Sequence, residues 1–341
     1  MESTKVRTHS RHSYLAFWSC LLALAVSCGT TRERAMRAIE CLPEHEPIAD
    51  LEKRWYEREG GGRVRYVVAG NERGKVLVLI HGVPSSMYTW SWILRDGPDA
   101  LVRDFRVVVL DLPGHGGSEF GVLGARDLAA EAQAAVVWEL LEALGIESPI
   151  FVGNSFGALV ACHAAHLAPE KTSGLVLIDA EGAHRSWCEL PWSERLLVTP
   201  PTSWLASFHW MATLFNGLFN PIQTLWLGSA WEAEMADQLH HLTGKGYEVS
   251  PGQIKTYANL LSVPENYDSM RRLAGSNHDR DEDMLHELGA LLEAPVLILW
   301  GAADRLFPIE HFVEFWNWFP RAQVVPPFPD VGHIPQEEAP D

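Results

Sequence analysis

A serine framed by two glycines is the clearest chemical signal in this chain: Gly153-Asn154-Ser155-Phe156-Gly157. An apolar run, Pro149 to Val152, leads into it, and a stretch of helical composition, Phe156 to Leu167, follows. Gly-x-Ser-x-Gly between a strand and a helix is the setting of a nucleophile elbow. Small flanking residues let the two segments approach closely enough to turn sharply at the serine. The turn lifts the hydroxyl above the sheet, and the helix aims its first N–H groups at the same spot. A serine hydroxyl is a weak nucleophile, so this chemistry needs a base to take its proton. His333, which follows Gly332 in a short loop, suits that task because its ordinary pKa lies near neutrality. Asp304 would accept a hydrogen bond from the other ring nitrogen, fixing the tautomer and stabilising the imidazolium. Asp179 and Glu181 are its rivals for the acid role. Acyl transfer also needs two backbone N–H donors for the oxyanion. Phe156 supplies one. The other belongs to the loop His81-Gly82-Val83-Pro84, and because proline has no N–H, Val83 takes it.

These residues sit at the ends of strands. Val76–Ile80 runs into His81, and Val107–Leu110 ends in Asp111-Leu-Pro-Gly-His-Gly-Gly-Ser118. Leu175–Ile178 ends at Asp179, Pro295–Trp300 ends in Gly301-Ala-Ala-Asp304, and Val324-Val325 leads toward Gly332-His333. Continuous apolar strands alternating with helical stretches predict an α/β fold, a mostly parallel sheet with helices on both faces. Helices are expected at Ser86–Arg95, Leu128–Leu144 and Ile309–Phe319; Leu128, Ala132, Val136 and Leu140 recur at i+4 as one buried stripe. Every polar landmark falls at a strand's carboxyl end, where open α/β sheets place their sites. Asp111, His115 and Ser118 are expected to brace a Gly-rich turn, and His81 to hold its own loop by hydrogen bonding.

From Ala183 to Glu287 the pattern changes. Strong β-runs stop, and Trp187, Trp192, Trp204, Trp210, Trp226 and Trp231 all fall in this stretch. An insertion of about a hundred residues is too long for a plain loop. We therefore expect a helical cap at 184–286 over a core made of 51–183 and 287–341. Its aromatics would enclose an apolar pocket and keep water from the chemistry. Asp279-Arg-Asp-Glu-Asp283 lacks the turn glycine and closing glutamate of a calcium loop and reads as a solvated linker. Neither His240-His241 nor His184 with Cys188 forms a metal-ligand set, so no metal and no cofactor is expected.

A formal net charge of −17 over 341 residues argues against nucleic acid as a partner and against electrostatic binding to anionic membranes. The N-terminus has a separate logic. Lys5, Arg7 and Arg11 precede an apolar run from Tyr14 to Ser27, too short to span a bilayer and suited to a signal peptide. Small residues before Cys28 resemble a lipobox, so residues 1–28 are expected to direct export. Lipidated Cys28 would then tether the protein to a bacterial membrane through a polar linker, 29–50, with ordinary cleavage and a periplasmic or secreted product as the alternative. After processing, Cys41, Cys162 and Cys188 leave an odd count, and no structural disulfide is expected.

Taken together, His81-Gly-Val-Pro84, the Asp111–Ser118 turn, Gly153–Gly157, Trp300-Gly-Ala-Ala-Asp304 and Gly332-His333 make the chain resemble the α/β-hydrolase fold family over roughly residues 64 to 341. The chain order Ser, Asp, His is the order of that family. The resemblance is strongest to the branch with a His-Gly-x-Pro loop and a helical cap. Some members place their acid where Asp179 stands. The dehalogenases and epoxide hydrolases of that branch use an aspartate nucleophile, whereas this chain has Ser155, and Phe156 replaces the dehalogenases' tryptophan. Related proteins usually continue with a helix beneath the histidine loop, and Gln336–Asp341 reads as its first part. The resemblance thus implies a hydrolase with the triad Ser155, Asp304 and His333, acting on a carboxylic ester or related acyl bond of a hydrophobic small molecule. C–C bond hydrolysis, amide hydrolysis and perhydrolysis would use the same triad, and a ligand-binding protein with an idle triad is the competing class. Oligomeric state is left open.

Overall fold

Strands with apolar residues on both faces must be covered on both faces, and this requirement organises the molecule. The computed structural model describes residues 31–95, 100–121, 128–182, 232–273 and 279–340. Eight strands form one sheet in the order β1-β2-β4-β3-β5-β6-β7-β8. They are β1 (Arg54–Glu57), β2 (Arg63–Gly70), β3 (Val76–Ile80), β4 (Arg106–Leu110), β5 (Ile150–Asn154), β6 (Gly174–Ile178), β7 (Val296–Leu299) and β8 (Gln323–Val324). The pairs β1–β2 and β2–β4 are antiparallel, and every pairing from β4 onward is parallel. The strand order doubles back around β3 and β5, so their carboxyl ends, carrying His81 and Ser155, lie side by side.

Alternation along the strands separates two cores. Val78, Ile80, Val108, Leu110 and Phe151 point to one face. There they meet α2 (Ala130–Ala143), α3 (Phe156–Leu167), α6 (Asp279–Leu291) and α7 (Ile309–Trp318). Leu77, Leu79, Val107, Val109 and Val152 point to the other face, where Met36 and Ile39 of α1 (Thr31–Glu40) cover them together with Met87, Tyr88 and Trp90. Residues 31–50 are thus a folded part of the molecule where a polar linker was expected. Met36, Ile39 and Ile48 are buried, each burial stabilising by about 1.5–3 kcal/mol. Their spacing is masked in the sequence because charged residues surround them and the surface they cover lies far away in the chain.

Within the expected cap, the described residues are helical: 232–242, α4 (Pro251–Ser262) and α5 (Pro264–Leu273). A capping box between Ser250 and Gln253, with Pro251 at the first turn, starts α4. The six cap tryptophans and the pair His184 and Cys188 lie outside the described residues. Two further local expectations need correction. The acidic run Asp279–Asp283 lies at the start of α6, and Asp281 Oδ1 meets His163 Nε2 at 2.9 Å. In the segment Ser86–Arg95, Met87–Trp90 forms only a short 3-10 turn, capped by the Ser86 hydroxyl and buried on all sides. Among the described residues, no helix is long and apolar enough to cross a membrane.

Candidate functional site

At the end of β5 the chain reverses at Ser155, which is the N-cap of α3 with φ 57° and ψ −126°. A residue with a side chain rarely adopts such a positive φ, and its persistence marks a conformation imposed by its surroundings. The flanking glycines explain how the turn is possible. A Cβ on Gly153 would stand 2.3 Å from the Gly157 carbonyl oxygen, and one on Gly157 would stand 2.2 Å from that of Ile80. Strand, elbow and helix are in backbone contact there. The Ser155 N–H is spent on the Ile178 carbonyl at 3.0 Å. As the first residue of α3, Phe156 has an N–H that the helix itself cannot satisfy.

Asp304 and His333, 29 positions apart, meet directly. His333 Nδ1 and Asp304 Oδ2 are 2.8 Å apart, with both side chains buried. Asp304 is fixed in turn, because its Oδ1 accepts the N–H groups of Leu306 at 2.8 Å and Phe307 at 3.0 Å. The Phe307 ring lies edge-on against the imidazole, centroids 5.2 Å apart. With Nδ1 engaged by the carboxylate, the proton-accepting atom left to the ring is Nε2, which is buried and makes no hydrogen bond among the described residues.

Asp179, the rival acid, is also buried at this place, in a positive-φ conformation. Its Oδ1 accepts the Gly301 N–H at 2.9 Å, and the imidazole's hydrogen bond goes to Asp304. Burial, reinforced by the neighbouring Asp304 charge, pushes the Asp179 carboxyl well above the usual carboxylate range. One donor atom from each of Asp179, Asp304 and His333 lies within 4.8 Å of the others. Both Asp304 oxygens and Asp179 Oδ1 are already committed to hydrogen bonds, so the cluster is a hydrogen-bonded acid–base group and we build no metal site on it. Glu181 donates its N–H to the Ser155 carbonyl at 3.2 Å.

Beside the elbow, the loop after β3 carries Val83 and is fixed by His81. The His81 ring bonds the Gly82 carbonyl through Nδ1 at 2.7 Å and accepts the Leu112 N–H at Nε2, 3.0 Å. Complete burial lowers its pKa, as suits a neutral ring bonded on both sides. A Cβ on Gly82 would come within 2.9 Å of Ser155 Cβ, so this loop touches the elbow. Asp111 braces the neighbouring turn by accepting the N–H groups of Met87 at 2.7 Å and Gly117 at 2.8 Å. The Ser118 hydroxyl donates to the Asp111 carbonyl at 2.7 Å.

Three further residues complete the site, none of them assigned a role from the sequence. Asn154 donates its amide to the carbonyls of His333 at 3.1 Å and Ile178 at 3.2 Å, joining the elbow to the histidine loop. Gln336 reaches Asn154 Oδ1 at 3.2 Å and Thr89 Oγ1 at 3.0 Å from the terminal turn α8 (Pro335–Glu338). Glu337, buried in the same turn, accepts from Thr89, from Tyr257 at 2.8 Å and from Gln253 at 2.9 Å. A polar residue in the x position before Ser155, and the acidic tail after His333, were the available signals. An apolar cluster lies over this polar seam: Met235, Leu239, Tyr257 and Leu261 pack with Ile334 and half-buried Val83.

Comparison with known proteins agrees with this fold. A sequence model of the alpha/beta hydrolase fold matches residues 75–340. The dihydrolipoyllysine-residue acetyltransferase component of an acetoin cleaving system from Pseudomonas putida is 27% identical over 281 residues, covering 82% of this chain and 64% of that one. Epoxide hydrolase 4 of Mus musculus is 26% identical over 261 residues, covering 74% of this chain and 66% of that one. The chain therefore spans less than two thirds of the length of either relative. The crystal structure of a membrane phospholipase A, a bacterial virulence factor, shares the fold with a TM-score of 0.64 at 21% identity, over 97% of this chain and 94% of that one.

Proposed function

Since this chain belongs to the alpha/beta hydrolase fold family, we propose that it is a serine hydrolase acting on a carboxylic ester or related acyl bond of a hydrophobic small molecule. The observation that carries this reading is the buried 2.8 Å contact between Asp304 and His333, held beside an elbow whose residue at positive φ is a serine. In this reading His333 Nε2 takes the Ser155 proton as Oγ attacks the acyl carbon. Asp304 keeps the Nδ1 proton in place and stabilises the imidazolium. The N–H groups of Phe156 and Val83 receive the oxyanion. The imidazolium then protonates the leaving alcohol, and water regenerates Ser155 by the reverse sequence of proton transfers. A serine leads to an acyl-enzyme, which separates this mechanism from the alkyl-ester chemistry of an aspartate nucleophile.

The apolar residues over the seam favour a hydrophobic acyl group. A series of p-nitrophenyl esters of rising chain length tests this. The expected result is a pre-steady-state burst and a kcat/KM that rises from acetate toward octanoate. Equal or falling kcat/KM along the series, with no burst, would contradict it. Separately, the basic and apolar N-terminal run ending at Cys28 leads us to propose an exported protein anchored through lipidated Cys28, a residue outside the described region, with a periplasmic or secreted product as the alternative. The mass of the mature amino-terminus is the test, since a chain beginning at an unmodified residue would refute anchoring.

A further inference from the structure

We propose that Glu338 is a positioning residue for His333, one carboxylate that clasps the backbone on both sides of the histidine. This inference rests on His333 acting as the base of the proposed mechanism. Glu338 Oε2 accepts the N–H of Gly332 at 2.9 Å, and Oε1 accepts that of Ile334 at 3.2 Å. The residues before and after His333 are thereby held by the same side chain. The remaining main-chain groups are held too, since the His333 N–H donates to the Leu242 carbonyl at 2.8 Å and its carbonyl accepts from Asn154. With the backbone fixed by four bonds and Nδ1 fixed by Asp304, little freedom is left to the ring.

The clasp extends to the inserted helices. Glu338 Oε2 also accepts the Gly244 N–H at 2.7 Å, just beyond the helical residues 232–242. The two backbones meet there without side chains between them: a Cβ on Gly244 would stand 1.8 Å from the Asp330 carbonyl oxygen, and one on Gly332 would stand 2.2 Å from that of Leu242. Turn α8 is itself immobilised by Gln336 and Glu337, so Glu338 reaches the histidine loop from a fixed base. A small displacement of a catalytic group suffices to lose much of a rate, which gives these contacts a functional consequence.

The test uses the full chain with p-nitrophenyl butyrate, comparing wild type, Glu338→Ala and Glu338→Gln. Glu338→Ala is expected to lose about tenfold or more in kcat with KM changed less than about twofold. Glu338→Gln keeps an oxygen for Gly332 and Gly244 but turns an NH₂ group toward the Ile334 N–H, so it loses one side of the clasp. Its kcat is expected to fall roughly threefold, between wild type and Glu338→Ala, with KM again nearly unchanged. Wild-type kcat in Glu338→Ala, or a Glu338→Gln kcat no higher than that of Glu338→Ala, would overturn the proposal. Should Glu338→Ala fail to fold, Glu338→Gln decides alone, and wild-type kcat in that variant would overturn the proposal. An inactive wild type would defeat the hydrolase reading and the clasp together; an active wild type matched by Glu338→Ala would defeat only the clasp.

Discussion

The side chain of Asn154 donates a hydrogen bond to the main-chain carbonyl of His333 at 3.1 Å, so the residue preceding Ser155, the proposed nucleophile, also holds His333, the proposed base. The same amide bonds the Ile178 carbonyl at the end of β6, and its oxygen accepts from Gln336. Two strand ends, the histidine loop and turn α8 are tied at one point. Asn154→Ala is expected to lower kcat by about tenfold, because His333 gains freedom while Ser155 itself is unchanged. Steady-state kinetics on p-nitrophenyl butyrate check this, and an undiminished kcat would refute it.

The two acids at the site should respond differently to amide substitution. Asp304→Asn keeps an oxygen for Leu306 and Phe307 but presents an NH₂ group to His333, favouring the wrong tautomer. A loss of about 10³-fold or more in kcat is expected, with little change in melting temperature. Asp179→Asn still accepts from Gly301 through its amide oxygen and should keep most of the activity. The reverse ranking would transfer the acid role to Asp179.

Ser155 carries backbone strain that its removal should release. Ser155→Ala and Ser155→Gly both lack the hydroxyl and differ only in Cβ. At φ 57° the glycine variant is expected to be the more stable of the two by about 1 kcal/mol. Denaturant titration of both inactive proteins measures the difference. A glycine variant less stable than the alanine variant would contradict an imposed elbow.

His45 predicts a pH dependence of stability. Its ring bonds Ser91 Oγ at 3.1 Å and Thr256 Oγ1 at 2.7 Å, linking the N-terminal segment to the core and to α4. Burial brings its pKa down to about 4, with Arg95 adding to the effect and Glu44 opposing it. A depressed pKa contributes stability that is whole above the ordinary histidine value and is lost as pH falls toward the folded value. Between pH 7 and pH 5 this group should cost about 2 kcal/mol. Denaturation of wild type and His45→Gln at both pH values isolates the effect. Equal losses in the two proteins would refute it.

Much of this arrangement is legible in the chain because parallel strands announce themselves locally. Val76–Ile80, Val107–Leu110, Leu175–Ile178 and Pro295–Trp300 are unbroken apolar runs, each followed by a polar landmark, and Ser155 lies in a motif whose glycines have steric reasons. The rest depends on distant partners. β1 is short and mostly exposed, and β2, though eight residues long, is interrupted by Arg65 at a buried position, so their pattern is weak. Helix α1 reads as polar because its buried stripe, Ala35, Met36 and Ile39, is narrow and meets a surface supplied by other parts of the chain. The acids of α8 read only as the start of a helix, with no partners, until Thr89, Gln253, Tyr257, Gly244 and Gly332 are brought to them by the fold.

Whether Ser155 is activated by His333 is the central claim, and covalent labelling with a fluorophosphonate tests it most directly. Wild type, Ser155→Ala and His333→Ala would be labelled side by side, with the modified peptide located by mass spectrometry. The account predicts modification at Ser155 in wild type and its loss in both variants, each still folded by circular dichroism. Folded wild-type protein that does not label, or labelling that survives His333→Ala at the wild-type rate, would contradict it.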